Sequence, residues 1–213
     1  MKSAILAAAL GVLASPLRAQ TSSDSIWFRS QFAQIDLTGD GRPDTLILRA
    51  TGKRIDGLVV DLRIRSRGRL LFRDSWSSAS YFQYDAPLDS IPDATKREKV
   101  LHHLREVLVA SAFAPFAPGG EPGPDIGTMS SYLALQIATD SLRRIGVGGD
   151  SLLRTSHRVA RQMTPDTALL QRAWSALVSR RPRTFTYFSG GESTQVIVWS
   201  AVLGRFVTVF ACC

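Results

Sequence analysis

The hydrophobic pattern of the chain changes period twice. From Asp44 to about Trp76 apolar and polar residues alternate: Leu46 and Leu48 share one face, and Val60, Leu62 and Ile64 lie opposite Asp61, Arg63 and Arg65. Ser66-Arg67-Gly68 supplies a turn into Leu70, Phe72 and a strand that ends near Trp76. The spacing predicts three antiparallel strands here, with a short fourth around Tyr81 to Tyr84. After Pro92 the period becomes helical, with Val100, Leu101, Leu104, Val107, Leu108 and Ser111 on one stripe, Ser90 or Asp93 placed to cap the start, and Pro115 to stop it. Residues 114–127 are interrupted by Pro115, Pro118, Pro122 and Pro124 and by Gly119, Gly120, Gly123 and Gly127, which predicts a long flexible loop. Three more helices are expected over residues 129–145, 151–163 and 165–181, with Gly146 ending the first and Thr164-Pro165 opening the last. The strand period then returns over Thr184–Phe188, Gln195–Ser200 and Phe206–Ala211, with turns at Gly190-Gly191 and Leu203-Gly204.

Strands, then helices, then strands, with no βαβ alternation, predict the α+β class. The expected sheet is mostly antiparallel and is built from an N-terminal and a C-terminal strand group, with about four helices between them packed on one face. The two groups are expected to join, because a two- or three-stranded piece is not robust alone. No internal repeat is visible.

The first residues read differently from the rest. Lys2 is followed by an uninterrupted apolar run from Ala4 to Ala14, a break at Pro16, and a small residue at Ala19, the pattern of a secretory signal peptide over residues 1–19. The run is too short to cross a bilayer, and no later run reaches the roughly 20 apolar residues that crossing needs. Residues 20–213 are then expected to form one α+β domain, soluble and located outside the cytoplasm, secreted or periplasmic.

Of 213 residues, 26 are Lys or Arg against 18 Asp or Glu, 45% are hydrophobic, and 2 are Cys. These values exclude a disordered tail, a collagen-like fibre and a disulfide-stapled miniprotein. The net charge of +8 is unevenly placed: residues 53–73 and 141–183 are basic, whereas 74–140 is acidic. Arg63, Arg65, Arg67, Arg69 and Arg73 decorate one hairpin. The first expectation for them is a solvated face that protects a strand edge, and contact with an anionic polymer of the cell envelope is the alternative. Nucleic acid is not expected, for want of exposed aromatics interleaved with the basic residues. Cys212-Cys213 leave three options open: a vicinal disulfide, interchain bridges or free thiols.

One segment carries metal chemistry. Residues 36–46 place carboxylates at loop positions 1, 5 and 9 (Asp36, Asp40, Asp44), a hydroxyl at 3 (Thr38) and a glycine at 6 (Gly41). Alternate residues of a tight loop can aim such oxygens at one centre, as Ca²⁺ requires. Position 12 is Ile47 rather than the bidentate Glu of an EF-hand, and the flanks read as strands. The segment resembles the D-x-[DN]-G-D-G-x-x-D loop of FG-GAP/VCBS-type repeats, in which a strand follows the last aspartate. That resemblance covers about a dozen residues in a single copy. It implies a structural Ca²⁺ held by the side chains of Asp36, Asp40 and Asp44 and the carbonyl of Arg42, with Thr38 in place of the usual Asn or Asp. An affinity of about 10⁻⁴ to 10⁻³ M is expected for such an extracellular module. Asp, Gly and Thr also make metal-free turns, so a plain turn into a strand is the competing expectation.

Catalytic constellations are not recognisable. His102 and Glu106 fall opposite the apolar stripe of their helix, no HExxH or GxSxG occurs, and Gly146–Asp150 reads as a helix stop followed by an N-cap. The sequence therefore points to an exported binding or structural protein of the cell envelope with a calcium-stabilised loop. The alternative is a secreted hydrolase with a dispersed active site, rimmed by the loop 114–127.

Overall fold

The alternating N-terminal half builds a four-stranded antiparallel meander in the computed structural model, which describes residues 25–85, 87–109, 112–117, 125–144, 149–163, 166–190 and 193–212. Its strands are β1 (Ser25–Ile35), β2 (Asp44–Gly52), β3 (Val59–Ser66) and β4 (Arg69–Ser77), in spatial order β1-β2-β3-β4. In β2, Asp44, Leu46, Leu48, Ala50 and Gly52 are buried and the intervening residues are not, so the period of two places one face in the core. β3 does the same with Val60, Leu62 and Ile64. The β3–β4 hairpin turns on Arg67 and Gly68, both with positive φ (50° and 78°), the backbone that matches strand twist in a two-residue turn.

β1 was not expected. The loop Asp36–Pro43 leads into the second strand instead of the first, and β1 escapes a periodicity reading because its pairing slips twice, between Ile26 and Phe28 and between Phe32 and Ile35. The strand expected around Tyr81–Tyr84 is instead a 3₁₀ turn over Ser78–Phe82, started by Ser77 Oγ accepting from Ala79 N–H.

Helix α1 (Asp93–Glu106) follows, then the short β5 (Phe113–Pro115), α2 (Ile126–Arg144), α3 (Gly149–Gln162), α4 (Thr167–Arg180), β6 (Arg183–Phe188), β7 (Thr194–Ser200) and β8 (Arg205–Cys212). Neither Ser90 nor Asp93 caps α1, whose first turn has no side-chain cap. The N-cap of α4 is Asp166, whose carboxylate accepts from Leu169 N–H; Thr164-Pro165 lies outside the described residues. The expected loop 114–127 is shorter than anticipated: Phe113–Pro115 pairs with β6, Phe116 is buried, and α2 begins at Ile126. Its residues 118–124, residues 1–24, the Cys212 side chain and Cys213 lie outside the description.

β5-β6-β7-β8 form a second antiparallel sheet. The α+β class holds, but the two strand groups do not join edge to edge; they pack face to face. Leu46, Leu48, Leu62 and Ile64 of the first sheet share one core with Phe185, Tyr187, Ile197 and Phe206 of the second, and α1 adds Val100, Leu104 and Val107. Face-to-face packing buries both apolar faces without backbone pairing between the sheets. The other face of the second sheet, through Val198, Val207 and Val209, takes Met129 and Leu133 of α2 and Leu170, Ala173 and Leu177 of α4. Hence α2 and α4 cover one face, α3 lies against α2, and α1 belongs to the inter-sheet core. Among the described residues no helix is long and apolar enough to cross a membrane.

Candidate functional site

The Asp36–Asp44 loop is organised by its own carboxylates. Asp36 Oδ1 accepts from Gly39 N–H at 2.6 Å and from Asp40 N–H at 3.2 Å, and its Oδ2 accepts from Gly41 N–H at 2.7 Å. Asp44 is fully buried, and its Oδ2 accepts from the N–H of Leu37 at 2.8 Å and of Thr38 at 2.9 Å. Thr38 Oγ1 stands 3.4 Å from both Asp36 Oδ1 and Asp44 Oδ1, so three of the five expected ligand residues converge. Asp40 turns away: its Oδ1 accepts from Arg42 N–H and its Oδ2 pairs with Arg67 at 2.9 Å. Arg42 is exposed. Among the described residues no three His, Cys, Asp or Glu side chains gather as a metal cluster. The oxygen chemistry of Asp36, Thr38 and Asp44 suits a hard cation; the geometry seen here serves backbone amides.

The arginines form a different set from the one expected. Strand register puts Arg29, Arg49, Arg63, Arg65 and Arg73 on the outer face of the first sheet, since Arg29 pairs with Arg49, Arg49 with Asp61, and Arg63 with Arg73. Arg67 sits in the hairpin turn and pairs with Asp40, and Arg69 is opposite Ser66, whose side chain is buried on the inner side. The expected row therefore loses Arg67 and Arg69 and gains Arg29 and Arg49. Those two are 34 and 14 residues upstream of Arg63, too far for local periodicity to reveal.

Asp61 is the carboxylate at the centre of this face. It accepts from Arg63 Nε at 2.8 Å and Arg73 Nε at 2.9 Å, and Arg63 Nη2 also bonds to it. Burial opposes its ionisation, but the two guanidinium groups outweigh burial and hold its pKa below the usual carboxylate value. Arg65 Nη1 donates to the carbonyl of Gly68. The Nε atoms of Arg49 and Arg65 are buried without a hydrogen-bond partner. No carboxylate neutralises Arg29, Arg49 or Arg65 among the described residues, so the face carries more positive charge than its internal pairing consumes.

The histidines are elsewhere. His103 stacks on Tyr81 at 4.7 Å and lies 5.4 Å from Phe188, His102 is exposed beside it, and His157 is exposed on α3. Burial, with help from His102 and Lys99, lowers the His103 pKa. Neither of two surface concavities, one bordered by β4, β8 and α2 and the other by Trp27, Asp56 and Arg97, includes a histidine in its lining. The second concavity borders a buried ion pair, Lys96 Nζ to Asp56 Oδ2 at 3.2 Å; Arg54 joins it and holds the Asp56 pKa well below the ordinary range. Set beside protein-family models, curated proteins and solved structures, the chain matches none.

Proposed function

We propose that this chain is an exported binding module of the cell envelope that holds anionic polymers on the outer face of its first sheet. The observation that supports this reading is that Arg29, Arg49, Arg63, Arg65 and Arg73 share one sheet face, where Asp61 pairs with Arg63 and Arg73. A pleated surface spaces such groups at intervals of a few ångströms, and guanidinium forks match carboxylate and sulfate groups bidentately. Export is inferred from the pattern of residues 1–19. Calcium has a supporting part: a bound ion at Asp36, Thr38 and Asp44, resembling the FG-GAP/VCBS loop, would brace the entry to β2 and hence the sheet that displays the arginines.

The test is retention on immobilised polygalacturonate across a salt gradient. Replacing Arg29, Arg49 and Arg63 together by Gln is expected to move elution to clearly lower salt. A control with the same charge change, Arg158, Arg161 and Arg172 to Gln on α3 and α4, is expected to stay near the parent protein. Equal shifts in the two variants would reduce the interaction to net charge and overturn the assignment to this face.

A further inference from the structure

The two sheets meet at an open seam. β4 is an edge of the first sheet and β8 an edge of the second, and together with α2 they border a groove of about 1010 Å³. That volume lies at the upper end of the ~300–1,000 Å³ typical of ligand pockets.

Facing strand edges suggest at first that an extended peptide adds to one of them, but both edges are irregular. The β3–β4 ladder slips between Ile64 and Arg65, and the β7–β8 ladder between Val196 and Ile197. Such bulges interrupt the regular row of donors and acceptors that strand addition needs. In addition, the Tyr132 hydroxyl of α2 donates to the Ala211 carbonyl at 2.7 Å and accepts from its N–H at 3.1 Å, so it already fills the edge of β8 at that point. A ligand in this groove must be recognised by side chains.

Those side chains are amides, hydroxyls and charges over an apolar floor. Gln136 Nε2 donates to Thr208 Oγ1, which fixes both groups while Gln136 keeps further donor and acceptor capacity. Tyr187, buried beneath the groove, donates its hydroxyl to Asp74 Oδ2 at 2.8 Å and so fixes the Asp74 carboxylate in the lining. Arg73, which Asp61 already pairs on the outer face, lines the groove together with Arg205 and Asp74. Leu135 and Phe206 supply apolar surface. Polar groups held in place beside apolar patches suit a polyhydroxylated ring, and the adjoining face, where no carboxylate neutralises Arg29, Arg49 or Arg65 among the described residues, suits one bearing a carboxylate. Arg73 belongs both to this groove and to the arginine face, so the two surfaces are continuous.

We infer that the groove between β4, β8 and α2 binds a short acidic oligosaccharide, one stretch of the polymer that the arginine face attracts. The inference rests on the reading of that face as a site for acidic polymers. The full-length protein is titrated calorimetrically with trigalacturonate, with maltotriose and an acidic tetrapeptide as comparisons. The expected result is saturable one-site binding of trigalacturonate, which maltotriose and the tetrapeptide do not match. Leu135→Trp, which fills the groove, is expected to weaken it by about tenfold or more, whereas Arg158→Gln with Arg161→Gln on α3 leaves it within about twofold. Should Leu135→Trp fail to fold, Gln136→Ala, on the partly exposed side of α2, provides the same comparison. Binding undiminished in the groove variant, tighter binding of the tetrapeptide, or no binding of trigalacturonate would each overturn the inference. Loss of trigalacturonate binding with polymer retention still dependent on Arg29, Arg49 and Arg63 would refute the groove alone. The reverse pattern would refute the face alone.

Discussion

Asp44 opens β2 with a fully buried carboxylate that two backbone N–H groups require. Asp44→Ala leaves the amides of Leu37 and Thr38 without their acceptor in a site closed to water, which is expected to cost about 2 kcal/mol or more with or without calcium. Asp40 differs, because its pair with Arg67 joins side chains that are 27% and 59% exposed, and such pairs contribute little. Asp40→Ala is therefore expected to leave stability in EDTA nearly unchanged and, because Asp40 turns away from the oxygens of Asp36, Thr38 and Asp44, to keep the rise in melting temperature that millimolar calcium is expected to produce in the parent. Melting curves in EDTA and in calcium check both variants, and the absence of any rise in the parent would remove the calcium reading. The loop was legible in the sequence because its residues are contiguous. The pair of Asp56 and Lys96 was not, since the two residues are 40 apart and meet only when α1 docks.

Helix α1 lays Lys96, Val100 and Leu104 into the core and turns His103 against Tyr81 and Phe188. Because burial lowers the His103 pKa, the folded state prefers the neutral imidazole. The stability this contributes is fully present above the unfolded value near 6.5 and is lost as pH falls through the folded pKa. His103→Phe keeps a stacked ring without a titrating group. Its urea midpoint is expected to fall less between pH 7.5 and pH 5 than that of the parent, and an equal fall would place the pH dependence elsewhere. At this scale the clean alternations, β2 and β3, were legible from periodicity. β1 and the Ser78–Phe82 turn were not, because register slips and a local serine cap break the period that a sequence reading follows.

The two sheets are joined at one close approach as well as through their shared core. Gly190, in the turn between β6 and β7, adopts φ +103°, and a Cβ there would stand 1.7 Å from Ser80 Oγ, which itself bonds to the Ser189 carbonyl. Gly190→Ala is expected to destabilise the whole protein by about 1–3 kcal/mol, as overpacking does. Adding Ser80→Gly should recover only part of the loss, because the strained φ remains. Urea unfolding of the single and double variants measures this, and full recovery would assign the effect to the clash alone. That the sheets stack rather than join was not legible, since a period of two shows that a face is buried but not what buries it. The order of strands along the chain also sets a timetable. β1 to β4 pair only with sequence neighbours, whereas Phe113 of β5 meets Phe185 of β6 across the intervening helices. Closing longer loops costs more entropy, so the first meander is expected to assemble before its inner face meets Phe185, Tyr187 and Phe206. The surface that makes the finished protein cohesive is thus expected to stand open while the second sheet forms, and a helper that shields nascent chains would find its target there.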